Sequence, residues 1–274
     1  MSIDLDRYFA RIGYDGPRDN SLSTLRALHE LHPQAIPFEN IDPLLGRPVK
    51  LDSASLQAKL VDGGRGGYCF EHNSLFAAVL RALGYEVKEA TARVRWGAFA
   101  GVTTPRVHCL QLVTAEGEEY LADVGFGGNV LTAPLKLSSR TEQQTPHEPF
   151  RLVEDKDGHM VQEAKLGDEW KPLYAFDFAF THAADYEMGN WFTSAHPESI
   201  FVTGLMGARA DRGKRYALRD NQLAVHTLGG GTEKTTLKSA GELRDALTDL
   251  FKLRLDRLEG LDPVLTALAA RPAP

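Results

Sequence analysis

The apolar residues of the first 85 positions recur at the spacing of a helix. One stripe consists of Leu5, Tyr8, Phe9 and Ile12, and a second of Leu22, Leu25, Leu28 and Leu31, with Pro33 just past its end. Side chains three and four positions apart share one face of a helix, so both stripes predict amphipathic helices. A third, short helix is expected from Asp52 through Leu60, and a fourth from residue 69 to Gly84.

From Tyr85 onward the period changes to two. This period is typical of strands, whose side chains alternate between two faces of a sheet. The strand-like pieces are Val107–Thr114, Tyr120–Val124, Phe150–Val153 and Trp170–Ala175. The middle of the chain therefore predicts a β-sheet or barrel.

The last third of the chain mixes both periods. A short helical connector, Asp185–Trp191, precedes three pieces that read as strands: Ile200–Thr203, Arg215–Leu218 and Leu223–Thr227. Ser239 and Glu242 fit a capping box ahead of a helix, and Asp262-Pro263 predicts a cap followed by proline at the first helical position. Because 274 residues exceed the usual size of one domain, we expect about two or three units.

Composition narrows the classes of protein that fit. The chain is 43% hydrophobic and 25% charged, which is ordinary for a globular protein. A formal net charge of −6 argues against a nucleic-acid partner. We expect no signal peptide at the start and no membrane-spanning helix, since no apolar run reaches about 18 residues. Two cysteines are too few for a disulfide framework, so we expect a cytoplasmic location.

The clearest chemical signal is a cysteine placed between a glycine-rich turn and a helix. The turn Gly63–Gly67 leads through Tyr68 to Cys69, and an apolar helical series follows directly. Cys69 should therefore lie in the first helical turn, beside unpaired backbone N–H groups and the positive end of the helix dipole. Such a position favours the thiolate, which is the nucleophilic form.

A nucleophilic cysteine needs a base, and the base needs a partner that orients it. His108 lies in one predicted strand and Asp123 at the end of the next, so adjacent strands could bring the two side chains together. The order cysteine, histidine, aspartate is that of papain-like enzymes. The residues alone also allow a buried structural cysteine, a core histidine and a turn aspartate.

Two other interpretations concern the same segments. Cys69, His72, His108 and Cys109 are ligand types that zinc accepts, although adjacent strand residues should point to opposite faces. The loop Gly125–Gly128 could hold a phosphate through its backbone N–H groups, or could form a simple tight turn.

Several motifs, taken together, resemble those of the arylamine N-acetyltransferases, and the resemblance spans nearly the whole chain. The matching pieces are Pro37–Asn40, Arg65–Glu71, Ala92–Val94, His108, Asp123–Gly127, Gln144–Pro149 and His196-Pro197 to Phe201–Leu205. The motif around Cys69 is specific to that family, and the three candidate catalytic positions match its pattern.

The resemblance implies an α+β multi-domain fold with a papain-like Cys-His-Asp core. An N-terminal helical bundle would occupy residues 1–85 and carry the cysteine. A central β-barrel would occupy 86–190 and carry the histidine and aspartate, and a C-terminal α/β lid with a connector would occupy 191–274. The family activity is acetyl transfer from acetyl-CoA, a co-substrate rather than a bound cofactor, to aromatic amines and hydrazines by a ping-pong route.

The resemblance also implies roles for single residues. Cys69 would be the acetylated nucleophile, His108 its general base and Asp123 the orienting acid, with no metal. Beside these three, Arg65 and Glu39 are candidates for a partly buried ion pair that supports the turn, or for a solvated surface pair.

Substrate contacts are expected from two further groups. Phe38, Phe126 and Phe201 are candidates for an apolar pocket that holds the amine, and ordinary core packing is the alternative for each. Gly125, Gly127, Gly128 and Thr103 resemble family contacts to CoA.

Two other classes of protein remain open at this point. The same three residues serve cysteine peptidases and transglutaminase-like enzymes, which use peptide or glutamine acyl donors. A non-enzyme alternative is a metal- or redox-responsive binding protein that uses Cys69, His72 and Cys109. The sequence gives neither the amine that is acetylated in the cell nor the oligomeric state.

Overall fold

A computed structural model describes residues 3–99, 102–256 and 258–272. The N-terminal part is helical, as its periodicity predicts, and it contains one short strand. Its elements are α1 (Leu5–Ile12), α2 (Leu22–Ala35), β1 (Phe38–Glu39), α3 (Ile41–Leu44), α4 (Ser53–Leu56), which continues as a π-helical segment (Gln57–Asp62), and α5 (Cys69–Ala82).

One boundary in this part differs from the prediction. Helix α2 does not end before Pro33 but continues to Ala35, where the Ile36 N–H bonds the His32 carbonyl at 2.8 Å. A proline this close to the helix end forgoes one hydrogen bond. Its ring is buried in the helical core, which offsets part of that loss.

The middle of the chain forms a seven-stranded antiparallel sheet. Its strands are β2 (Glu86–Val94), β3 (Arg106–Ala115), β4 (Glu118–Ala122), β5 (Leu135–Lys136), β6 (Phe150–Glu154), β7 (Met160–Leu166) and β8 (Glu169–Phe176). Their order in space is β5-β4-β3-β2-β8-β7-β6. All four strand-like pieces that the sequence indicated lie in this sheet.

Gln143 joins the two edges of that sheet. Its backbone pairs with Phe150 of β6 at N–O distances of 2.7 and 3.0 Å. Its side chain bonds the backbone N–H and C=O of Lys136 in β5 at 2.8 and 3.2 Å. The sheet is therefore nearly closed, as the predicted barrel requires.

The C-terminal part combines a second sheet with helices. Its elements are α6 (Ala183–Ala195), α7 (Ile200–Thr203), β9 (Met206–Asp211), β10 (Lys214–Arg219), β11 (Gln222–Thr227), β12 (Thr232–Thr236), α8 (Ala240–Asp249) and α9 (Leu261–Ala269). The sheet order is β1-β9-β10-β11-β12, so the N-terminal segment supplies an edge strand to the C-terminal sheet. Position 190, predicted as a boundary, lies inside α6, and the division into domains stays a prediction.

Two predictions in this part are wrong. Ile200–Thr203 forms a helix rather than a strand, because the Ser199 hydroxyl accepts the Phe201 N–H at 3.2 Å and starts a helical turn. Helix α9 begins at Leu261 after Gly260, so Asp262 lies within its first turn and is not its cap. A carboxylate in the first turn still interacts favourably with the helix dipole.

The core divides into clusters that follow these parts. One cluster packs α1, α2 and α5 against the ends of β3 and β4, a second fills the seven-stranded sheet, and a third lies under α8 and α9. A small fourth cluster joins the start of α5 to β3 and α6. Within the described ranges, no helix is both long and apolar enough to span a membrane.

Candidate active site

Cys69 is the first residue of α5, as the glycine turn and the apolar series predict. The Glu71 carboxylate accepts the Tyr68 N–H at 3.1 Å and so caps the helix start. The preceding turn passes very close to the chain before it. A Cβ on Gly66 would lie 2.0 Å from the Pro37 carbonyl oxygen, so no side chain fits there.

A network of buried charges holds this turn in place. Two Arg65 nitrogens donate to one Glu39 oxygen at 2.8 and 2.6 Å, and the other Glu39 oxygen accepts the Ile41 N–H at 2.6 Å. Lys59 bridges Asp42 at 2.6 Å and Glu71 at 2.7 Å.

The Arg65–Glu39 pair is more buried than a surface pair, since the Glu39 side chain is 0% exposed. Breaking such a pair leaves an uncompensated buried charge. The sequence analysis found this pair but missed Lys59. The sequence signal for Lys59 was weak and consisted of its position ten residues before Cys69.

His108 and Asp123 lie side by side near Cys69. The His108 Nε2 atom is 2.7 Å from Asp123 Oδ2, and both side chains are almost completely buried. Strands β3 and β4 are neighbours, so residue 108 on β3 and residue 123 just past β4 reach the same place. The second ring nitrogen of His108 remains for Cys69, and the two groups influence each other's pKa.

Asn73 fixes the aspartate from the same helix that carries the cysteine. Its amide donates to Asp123 Oδ1 at 2.9 Å and to the Cys109 carbonyl at 2.6 Å, and its oxygen accepts the Val124 N–H at 3.1 Å. Asn73 stands four positions after Cys69, so it lies one turn further along the same helix face. That spacing is the signal through which the sequence could have indicated it.

The three groups shift each other's protonation. Burial alone would raise the pKa of Cys69, but hydrogen bonds from Cys109 and His108 and the charge of His108 lower this pKa to about 6. Burial would lower the pKa of His108, but the Asp123 carboxylate raises it to about 10. Asp123 itself keeps a lowered pKa despite burial, because it faces the imidazolium.

The resulting ion pair has a defined pH window. The stabilisation from the thiolate is lost as the pH falls through about 6, where Cys69 takes up a proton. The stabilisation from the imidazolium is lost as the pH rises through about 10, where His108 gives up its proton. Between these limits Cys69 is a thiolate beside a charged His108.

The three predicted phenylalanines are all half-buried, and Phe38 and Phe201 pack against the small cluster that contains Cys69. Phe126 packs edge-on against the His108 ring, with centroids 5.2 Å apart. Phe38 and Phe201 contact each other at 6.1 Å, and Phe201 also contacts Tyr68 at 5.5 Å. Tyr174, which the sequence analysis missed, packs on His108 at 4.8 Å.

The glycines after Asp123 differ in what they contact. A Cβ on Gly125 would lie 2.9 Å from the Cys69 Cα, which explains why glycine stands there. Gly127 has a φ of +82° and lies against the Phe38 ring, whereas a Cβ on Gly128 would meet open space. Thr103 is exposed between β2 and β3, and no hydrogen bond of the described residues links it to Cys69.

A cavity of about 420 Å³ opens beside the site. Val107 lines it, and the Val107 carbonyl oxygen is 3.7 Å from the Cys69 sulfur. The aromatic residues that line the cavity are Phe180 and Phe192. The three phenylalanines predicted to hold the amine are not part of this cavity.

The zinc alternative fails on the orientation of His72. Its Nδ1 atom is 2.9 Å from His32 Nε2, and its Nε2 atom is 3.1 Å from the Pro37 carbonyl oxygen. Both ring nitrogens therefore bond other groups and neither is available beside Cys69. Burial lowers the pKa of His72 to about 4, so the ring is neutral at pH 7.

A thiolate at a helix start, beside an imidazolium held by a carboxylate, is typical of enzymes with a cysteine nucleophile. A family model described as N-acetyltransferase matches residues 21–259. The arylamine N-acetyltransferase of Mycolicibacterium smegmatis is 44% identical over 96% of this chain and 96% of its own length.

Solved structures agree with that match. The structure of Mycobacterium marinum arylamine N-acetyltransferase has a TM-score of 0.93 at 43% identity, covering 97% of this chain and 100% of that one. The structure of the same M. marinum enzyme in complex with CoA has a TM-score of 0.92 at 43% identity, covering 97% and 98%. The chain belongs to the arylamine N-acetyltransferase family and is an acyltransferase. The peptidase, transglutaminase-like and binding-protein alternatives are thereby replaced.

Proposed function

We propose that this enzyme transfers the acetyl group of acetyl-CoA to the nitrogen of aromatic amines and hydrazines through an acetylated Cys69. The observation that carries the proposal is the 2.7 Å His108–Asp123 pair beside Cys69 at the start of α5. The M. marinum relative solved with CoA supports acetyl-CoA as the co-substrate.

In the first half-reaction the Cys69 thiolate attacks the thioester carbonyl carbon. Backbone N–H groups at the start of α5 face the developing oxyanion, because the first N–H groups of a helix have no partner within it. The C–S bond to CoA then breaks. The CoA thiolate leaves with a proton from His108, and the acetyl group remains on the Cys69 sulfur.

In the second half-reaction a neutral amine attacks the acetyl carbon. His108 accepts a proton from the amine nitrogen, and the Cys69 thiolate is released as the amide forms. Asp123 keeps the imidazole oriented in both halves, and Asn73 holds Asp123 through its 2.9 Å hydrogen bond. Every step uses groups of this chain and its two substrates, so the proposal needs no metal or bound cofactor.

The substrate contacts belong to the same proposal. Phe126, which packs on His108, is placed to contact the aromatic ring of an amine, and Phe38 and Phe201 extend this apolar side. Gly125, Gly127 and Gly128 offer backbone groups to the pantetheine arm. Thr103, exposed on its loop, is proposed as an outer CoA contact, and a cytoplasmic location remains a prediction.

The test is the intact mass of the protein after incubation with acetyl-CoA and no amine. We expect the wild type to gain about 42 Da, one acetyl group, and Cys69→Ala to gain nothing. Aniline should discharge the adduct and yield acetanilide. The proposal is wrong if the wild type stays unmodified at several pH values, or if Cys69→Ala is acetylated equally.

A further inference from the structure

The second cysteine of the chain, Cys109, forms no bond to either substrate in the proposed reaction and yet lies against the first. Its side chain is completely buried, and its sulfur is 3.4 Å from the Cys69 carbonyl oxygen. Both cysteines belong to the small buried cluster at the start of α5. Cys109 follows His108 directly on β3.

Side-chain bonds hold the two backbones at this separation. Asn73 donates from α5 to the Cys109 carbonyl of β3 at 2.6 Å. Gln111 donates in the opposite direction, from β3 to the Asn73 carbonyl at 2.8 Å. All these groups are buried, so the fold itself holds Cys109 next to Cys69.

The two sulfurs differ in reactivity. Burial raises the pKa of Cys109 well above its usual value, so this group stays a thiol at pH 7. Cys69 is a thiolate at the same pH, as derived above, and thiolates react with peroxides. One reactive thiolate beside one protonated thiol is the arrangement found where one cysteine is oxidised and a second resolves it.

We propose that Cys69 and Cys109 form a reversible disulfide bond when the enzyme meets a hydroperoxide. The Cys69 thiolate attacks one oxygen of hydrogen peroxide, the O–O bond breaks, and hydroxide leaves, which gives a sulfenic acid. The Cys109 sulfur then attacks the Cys69 sulfur, and its proton departs with the displaced hydroxide as water. The hydroxide released in the first step takes a proton from the His108 imidazolium. The two cysteines lose two electrons in total, and one peroxide is reduced to two waters.

This bond would protect the nucleophile from permanent loss. Without a nearby thiol, a sulfenic acid is oxidised further to a sulfinic acid, which thiol reductants do not reverse. With Cys109 in place, oxidation stops at a disulfide, and a dithiol restores both groups.

The experiment is intact mass analysis after exposure to hydrogen peroxide, with no acetyl-CoA present. We expect the wild type to lose about 2 Da, two hydrogens, and to regain them with dithiothreitol. A protease digest without reductant should join the peptides that contain Cys69 and Cys109, and a non-reducing gel should show a monomer.

Cys109→Ser is the informative variant, because its hydroxyl keeps a donor but forms no disulfide. It should gain about 32 Da, two oxygens, and should not recover with dithiothreitol. Wild-type protein that gains oxygen without losing hydrogens, or whose linkage joins two chains, overturns the proposal. The wild-type result decides the matter even where the variant fails to fold, and it stands apart from the acetylation test.

Discussion

A methyl group added at Gly125 tests how closely the loop after Asp123 packs on the start of α5. A Cβ at this position would lie 2.9 Å from the Cys69 Cα and 3.1 Å from the Cys69 carbonyl oxygen. These are backbone atoms of a helix end and cannot move aside cheaply. The third neighbour, Asn73 Nδ2 at 3.0 Å, is itself held by its bonds to Asp123 and the Cys109 carbonyl.

The cost of such overpacking is about 1–3 kcal/mol. Gly128→Ala is the matched control, because a Cβ there meets nothing within 4 Å. Where alanine fits, it restricts the unfolded chain and stabilises the fold by up to about 1 kcal/mol. Because alanine restricts the unfolded chain equally at both positions, the free energy of unfolding of Gly125→Ala should lie about 1–3 kcal/mol below that of Gly128→Ala.

Urea denaturation of both variants, followed by circular dichroism, measures this difference. The alkylation rate of Cys69 gives a second readout. The Gly125 N–H donates to Asp123 Oδ1 at 2.9 Å. A displaced loop would therefore hold Asp123 less firmly against His108, and the alkylation rate of Cys69 should fall. Equal stabilities and equal alkylation rates for the two variants would refute the close approach on which this reasoning rests.

Three further predictions concern the charges and the sheet. The alkylation rate of Cys69 should rise with a midpoint near pH 6, and His108→Gln should move that midpoint upward, because the thiolate loses its positive partner. Arg65→Met should lower the free energy of unfolding by about 3–5 kcal/mol, since it leaves a buried carboxylate unpaired. In the exposed Arg81–Glu89 pair, by contrast, Arg81→Met should cost at most about 1 kcal/mol. Gln143→Ala should cost about 1–2 kcal/mol in the same urea assay, because two side-chain bonds between the sheet edges are lost.

Each of these has a result that contradicts it. A midpoint near pH 9 for the wild type would mean that Cys69 is an ordinary thiol. Equal losses of unfolding free energy in Arg65→Met and Arg81→Met would mean that the Arg65–Glu39 pair contributes no more than a solvent-exposed pair. Gln144→Ala, at the exposed neighbouring position, is the control for Gln143→Ala, and similar effects of both would remove Gln143 as the link between the edges.

Several features of the candidate site follow from residues that are neighbours in the sequence. Cys69 begins α5 because glycines end the preceding turn and an apolar series starts after it, and both signals lie within a few residues. The strands that carry His108 and precede Asp123 also follow from a local period of two. The meeting of these residues was expected from strand adjacency and from the family resemblance.

Other features were out of reach of local reasoning. Strand β1 has only two residues, and it exists because Phe38 and Glu39 pair with Ala208 and Gly207 at the far end of the sequence. Ile200–Thr203 has strand-like residues, but one serine cap turns the segment into a helix. The direction in which His72 points is decided by His32 and the Pro37 carbonyl.

The sequence by itself therefore determined where most of the helices and strands lie and which cysteine is the candidate nucleophile, because spacing, caps and glycines act over a few neighbouring positions. Only the tertiary structure decided that Asn73 holds Asp123, that Gly125 admits no side chain and that Cys109 lies against Cys69. These contacts join residues 40 to 56 positions apart, and the packing of α5 on β3 and on the loop after β4 brings them together. Such packing lowers the free energy through burial summed over the whole core, which no single stretch of sequence contains.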